Sequence, residues 1–325
     1  MRKWALASIL LALIVIVLGA YTRLTDAGLG CPDWPGCYGH VGVPMTQETI
    51  DTANAAFPER PVEVEKAWNE MIHRYAASTL GLFIVIITGL ALFKRQHNQP
   101  LKLPIFLLLM VCFQGALGMW TVTLNLLPAV VMMHLLGGFT VISCLFLLYL
   151  RLTPFSIPSS NQHMRKTAPW ALLGMVLLVI QIALGGWTSA NYASLACTEL
   201  PICEGNWTER LNFAGAFSIP EADNYEFGVH PYEDRMTMHV MHRFGAIIVT
   251  AYIVWLALRL WSQAHSHLIR RLAVTMGVVL TVQVALGISN VVYSLPLTVA
   301  TLHNAVAACL LLVMVMITYI LYRRV

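Results

Sequence analysis

Four histidines, His73, His134, His242 and His303, occupy matching places in two parts of a 325-residue chain. His73 and His134 are 61 residues apart, as are His242 and His303, and the two pairs are offset by 169. All four lie in strongly apolar runs, where an ionisable side chain is costly and needs a reason. One membrane histidine alone is ordinarily hydrogen-bonded to a neighbouring helix. Four in a repeated register favour ligation, because two imidazoles facing across a bundle can hold one haem iron axially. The expectation is two metal or haem sites, one per half. Zinc suits the pattern less well: a structural site takes four protein ligands, often thiolates, and no such cluster sits at this depth.

Further groups accompany the histidines. Arg74 and Arg243 directly follow His73 and His242. Each could pair with a haem propionate, an anion that fits a guanidinium fork, or snorkel to the outer interface. Gln114 and Gln283 are polar residues inside apolar spans and read as interhelical hydrogen bonders. Glu70 precedes His73 by three residues, which places both on one helix face. The aligned residue of the second half is His239, so only one site has a carboxylate beside it. Such a group can accept a proton, with burial tuning it; the alternative is a solvated charge at a helix N-terminus. Cys31 and Cys37 share a Cys-x5-Cys spacing with Cys197 and Cys203. Disulfides within each loop, Cys31–Cys37 and Cys197–Cys203, are the default in an oxidising outer compartment. Free thiols or a shared zinc remain the alternatives. Cys112, Cys144 and Cys309 lie singly in spans and read as packing residues.

The elements that must position these groups are membrane helices. The chain is 58% hydrophobic and 11% charged, with a mean hydropathy of +0.69, outside the balance of ordinary soluble domains. Because a spanning helix needs about 20 apolar residues, the pattern predicts eight spans, near 4–21, 69–93, 103–123, 127–150, 168–189, 236–260, 269–290 and 297–322. Thirteen of the 20 basic residues, Arg2, Lys3, Lys94, Arg95, Lys102, Arg151, Arg165, Lys166, Arg259, Arg270, Arg271, Arg323 and Arg324, then fall on one side. By the positive-inside rule both termini are cytoplasmic. The charge of +4 is this topology signal, and no basic face is left over for nucleic acid. Two long outer connections, about 22–68 and 190–235, carry most of the acidic residues. The segment 151–167, with Pro154 and Pro158, is the natural linker between halves. Met1-Arg2-Lys3 and the following apolar run could be misread as a signal peptide, but the fifth span has the same place in the second half.

The halves repeat in sequence. Leu18-Gly19-Ala20-Tyr21-Thr22 aligns with Leu184-Gly185-Gly186-Trp187-Thr188, and at the same offset of 166 Cys31 meets Cys197, Pro35 meets Pro201 and Cys37 meets Cys203. Three inserted residues later, His73-Arg74 meets His242-Arg243, and Gln114 through Gly118 meets Gln283 through Gly287. The expected fold is all-α and integral to the membrane: eight transmembrane helices as two pseudo-symmetric four-helix bundles, 1–152 and 153–325. Four spans per unit put both units in the same orientation, with the repeat axis along the membrane normal. Four-helix bundles hold cofactors between facing helices.

The stretch from Gly19 through Arg23-Leu24-Thr25 to Cys31-Pro32-Asp33-Trp34-Pro35-Gly36-Cys37, with Glu70-Met71-Ile72-His73-Arg74, resembles the haem A synthase family. So do Met238-His239-Val240-Met241-His242-Arg243 and the run from Leu295-Pro296 to His303-Asn304. The likeness covers essentially the whole chain. It implies oxidation of one ring methyl of haem O to a formyl group, giving haem A for terminal oxidases. His242 and His303 would be axial ligands of a resident haem b. His73 and His134 would line the site of the substrate, haem O, with Glu70 as its acid/base or charge-stabilising group. The two cysteine pairs match the family's outer pairs, the second found in some members. The resemblance further implies a bacterial inner membrane, with haem O synthase and oxidase assembly factors as candidate partners beside the lipid bilayer. A homo-oligomer is left open. Two rival readings share the histidines: a dihaem membrane cytochrome b that carries electrons, and a haem transporter or chaperone. The first does not account for a glutamate in one half only.

Overall fold

The protein is described by a computed structural model that covers residues 1–93, 100–154 and 159–323. Lys94, Arg95, Arg324 and Pro158, used above for topology and linker, lie outside the described residues. Eight helices are long and apolar enough to span a membrane. They are α1 (Arg2–Leu24), α3 (Val64–Phe93), α4 (Lys102–Thr123), α5 (Pro128–Leu152), α6 (Ala168–Ala190), α8 (Tyr232–Gln263), α9 (His267–Val292) and α10 (Leu297–Arg323). Two shorter helices, α2 (Gln47–Ala56) and α7 (Phe213–Ala216), belong to the two long connections. No strand occurs among the described residues.

All eight expected spans are present, and their ends teach something about hydropathy. The pattern places the second span at 69 and the sixth at 236, whereas α3 begins at Val64 and α8 at Tyr232. Their first turns carry Glu65 and Lys66, and Glu233, Asp234 and Arg235, which a hydropathy window rejects. Acidic side chains near a helix N-terminus are nevertheless favoured by the dipole. His73 and His242 therefore lie well inside continuous helices.

The helices pack in matching neighbourhoods. α1 lies against α3 and α5, α3 against α4 and α4 against α5; α6 lies against α8 and α10, α8 against α9 and α9 against α10. Between these groups α1 meets α10, and α5 meets both α6 and α10. One apolar core joins Leu80, Ile84, Ile87, Leu107, Ile142 and Leu145. A second joins Leu178, Ile253, Leu256, Met276, Leu311 and Met314, and includes Phe139 from α5. α10 is the most enclosed span, half of its apolar window being buried. Large apolar side chains such as Leu82, Leu109, Ile248 and Leu258 face outward instead. That surface suits a hydrocarbon solvent, in which helices satisfy their own backbone groups.

The outer connections also tie the groups together. Arg60 pairs with Glu226 at 3.0 Å, and Asn125 both donates to the Asp223 carbonyl at 2.8 Å and accepts from the Tyr225 amide at 3.0 Å. From α1, the Arg23 guanidinium donates to the Ser189 carbonyl at 2.6 Å, near the C-terminus of α6. It lies 3.8 Å from the centre of the Tyr192 ring, a cation–π contact.

Candidate functional site

His73 on α3 and His134 on α5 come together, their ring centroids 6.5 Å apart and their planes at 85°. Two metal–nitrogen bonds of about 2 Å in line, with roughly 1 Å from each nitrogen to its ring centre, separate imidazole centroids by roughly 6 Å. The observed separation is close to that value. The Nδ1 atoms of both rings are buried and have no hydrogen-bond partner of good geometry; the backbones of Val15 and Gln114 lie beside the two rings, and among the described residues no side chain is bonded to either imidazole.

Each of the four histidines also lies against a glycine. A Cβ at Gly19 would come 2.9 Å from His73 Cε1, one at Gly185 2.8 Å from His242 Cε1, one at Gly287 3.2 Å from His303 Cε1 and one at Gly118 3.6 Å from His134 Cε1. Gly19 and Gly185 are repeat partners, as are Gly118 and Gly287. At Gly19, Gly185 and Gly287 a larger residue would push the ring, whereas at Gly118 a Cβ would make an ordinary contact. This arrangement fits a flat group held edgewise between the helices.

In the second half the imidazoles are braced. Gln181 on α6 places its Nε2 2.9 Å from His242 Nδ1 and donates to the His242 carbonyl at 2.9 Å. Gln283 on α9 lies 3.2 Å from His303 Nε2. In the first half Val15 holds the place of Gln181 and has no side-chain polar atom to offer. Gln114, the partner of Gln283, leaves its amide nitrogen unbonded. The interhelical hydrogen bond expected of both glutamines is therefore made by Gln283 and not by Gln114 through that nitrogen.

Beside the first pair lies a cavity of about 500 Å³, within the size range of cofactor and small-molecule sites. Its outer end is polar: Thr22, Arg23, Glu70 and Arg74 line it together with Trp34. Beyond the histidines, Gln114 and Thr121, its remaining wall is mostly apolar or small and includes Ile16, Gly19, Gly81, Val85, Gly115 and Phe139. Gly186, Ser189 and Asn304 close it from the second half. Asn304 directly follows His303, so adjacent residues of α10 serve the two sites.

Glu70 is 5% exposed. Its Oε1 accepts from Arg74 Nη2 at 2.5 Å and its Oε2 from the Cys31 amide at 2.9 Å. Arg74 Nη1 donates onward to the carbonyls of Asp33 at 3.0 Å and Gly36 at 2.5 Å. One guanidinium and one carboxylate thus clamp the loop containing Cys31 and Cys37. Those cysteines lie at disulfide distance, with Cα atoms 4.8 Å apart. Cys197 and Cys203 do likewise at 4.9 Å. Arg243 clamps that second loop through the carbonyls of Cys197 at 2.7 Å, Glu199 at 2.6 Å and Ile202. His239 stands where Glu70 does, buried, with Nδ1 unbonded. Both arginines thus bond loop carbonyls, and Arg74 in addition pairs with Glu70 and lines the cavity. Sequence reading singled out neither Gln181 nor Arg23; both are polar groups at span positions whose repeat partners, Val15 and Ser189, differ in character.

Eight membrane-spanning helices, with His73 and His134 brought together from α3 and α5 and their repeat partners on α8 and α10, define a polytopic membrane protein. The chain belongs to the cytochrome oxidase assembly protein family (COX15-CtaA), whose model matches residues 2–315. It is 51% identical to the heme A synthase of Shewanella oneidensis, over 98% of this chain and 95% of that protein. It is 28% identical to the heme A synthase of Nitrosospira multiformis, covering 94% and 89% of the two chains. The heme A synthase of Rickettsia prowazekii is 26% identical, covering 96% and 95%.

Proposed function

We propose that this protein is a haem A synthase, an oxidoreductase that converts a ring methyl of haem O to a formyl group for use in terminal oxidases. The observation that carries the reading is the difference between its two histidine sites. One pair opens on a roomy cavity with a buried carboxylate at its rim, while the other is braced by glutamines and has no carboxylate. Substrate exchange needs the former and a permanent group needs the latter. The relatives named heme A synthase, one at 51% identity, support the same conclusion.

The proposed division is a substrate half, 1–152, and a resident-cofactor half, 153–325, related as pseudo-symmetric four-helix bundles. His242 and His303 hold a resident haem b, with Gln181 and Gln283 fixing their ring orientations. That haem supplies one-electron transfer to and from the neighbouring site. His73 and His134 seat the iron of haem O. Written with water as the oxygen source, the conversion is R–CH3 + H2O → R–CHO + 4 H+ + 4 e−, passing through the alcohol and a geminal diol that loses water; the four electrons would leave one at a time by way of the resident haem to an external acceptor. Glu70 Oε1 and Oε2 sit where protons leaving those steps can be taken up, and Arg74 holds the carboxylate in place. Trp34 and the clamped loop cover the outer end and limit the entry of bulk water. Haem O differs from haem b by a long prenyl-type tail, which suits delivery within a membrane. The protein is placed in the bacterial inner membrane with both termini cytoplasmic. There it receives substrate from a haem O synthase and passes product to oxidase assembly factors.

Pigment extraction tests this directly. Protein made in cells that supply haem O is expected to yield haem A together with haem b. Haem b alone, with haem O present and unconverted, would mean an electron carrier instead.

A further inference from the structure

The cavity continues past what the ring of a haem needs. From His73 its wall follows Ala77, Gly81 and Val85 down α3, one side chain per turn. From Gly118, beside His134, it follows Gly115, Cys112 and Leu108 down α4. His73 to Val85 spans about 18 Å along a helix at 1.5 Å per residue. The four polar groups at the outer end give way along this stretch to a wall that is apolar or small apart from Ser78 and Gln114. Ser78, Val85, Cys112 and Gly115 are exposed, so the groove is open on the outer surface of the α3–α4 seam. Packing does not require the missing side chains: a Cβ at Gly115 would meet nothing within 4 Å, and one at Gly81 would reach only Val111 Cγ2 at 3.8 Å. The glycines keep a channel open where larger residues would fit.

We propose that the groove between α3 and α4 binds the long apolar tail of the substrate haem and is the side entrance through which that haem arrives from the lipid. The proposal rests on the haem O reading above and adds the subsite that tells haem O from haem b. The polar rim holds the carboxylate-bearing edge of the ring at the outer surface. The histidines hold the iron, and the tail runs inward along Gly81, Val85, Gly115 and Cys112. Burial of a long hydrocarbon against these walls contributes affinity in proportion to its area, which a haem without a tail lacks.

The test is a pair of titrations on the full-length protein with its resident haem in place. Haem O and haem b are added separately in detergent, and binding at the first-half site is followed in the Soret region. Unmodified protein is expected to prefer haem O by about tenfold or more. Gly115→Leu and Gly81→Leu each fill the groove and are expected to weaken haem O binding more than haem b binding, so that the preference is lost. The resident haem spectrum and thermal midpoint report whether each variant is folded. A preference for haem O that survives both substitutions overturns the proposal and leaves the groove to an ordinary acyl chain. Equal affinities in the unmodified protein overturn it as well. If neither haem binds and His73→Ala changes nothing, the substrate-site reading itself fails, and this inference falls with it.

Discussion

The two cysteine loops solve one structural problem with different residues. Arg74 and Arg243 each gather the carbonyls of their own loop, so an arginine one position after the histidine is enough to hold it. In the second half Arg243 bonds Cys197, Glu199 and Ile202 with no carboxylate hydrogen-bonded to it among the described residues; the loop's own Glu204 accepts from the Thr198 amide instead, and His239 holds the place of Glu70. In the first half Glu70 is added, bonded to both Arg74 and the Cys31 amide. A residue that one loop dispenses with is not there for the loop alone. The cavity beside Glu70 gives it something else to do.

The largest effect that could break this comparison concerns the braced pair. His242→Ala or His303→Ala is expected to remove the resident haem and its low-spin Soret band, whereas His73→Ala or His134→Ala leaves that band intact. Equal loss from all four variants would erase the proposed division of labour. Next, Glu70→Gln should lower haem A yield by about 10²–10⁴-fold, the range for a positioned acid or base, while His239→Gln leaves the yield unchanged. Extracted pigment gives both numbers. Glu70→Ala additionally strands Arg74, and breaking a buried pair costs about 3–5 kcal/mol; a lower thermal midpoint than that of Glu70→Gln sharpens the distinction. Replacing Cys197 and Cys203 by Ser should cost about 2–4 kcal/mol and show as a lower midpoint with normal chemistry. The smallest effect is Gln181→Leu, about 0.5–1.5 kcal/mol for one hydrogen bond, read as a shifted reduction potential of the resident haem rather than its loss.

Much of this was legible in the chain because membranes impose long apolar runs and duplication repeats the chemistry at a constant offset. The eight spans, the histidine register, the cysteine pairs and the lone glutamate all come from those two facts. Helix starts at Val64 and Tyr232 were not legible, since charged first turns hide from a hydropathy reading. Gln181 escaped because it lies 61 residues before His242, a contact made only by packing α6 on α8. The loop clamps escaped for the same reason: adjacency to a histidine says nothing about which carbonyls a long arginine reaches. The repeat did hold a clue to Gln181 and Arg23. A polar residue whose partner position is Val15, or a cation opposite Ser189, marks where the copies have diverged.

Gly186, Ser189 and Asn304 form part of the wall around the first histidine pair. A four-span fragment ending at the linker would consequently have a breach in its binding chamber. Only the companion unit, or a twin of the fragment itself, could seal it. The chamber is therefore the property of the whole chain and not of its first four spans alone.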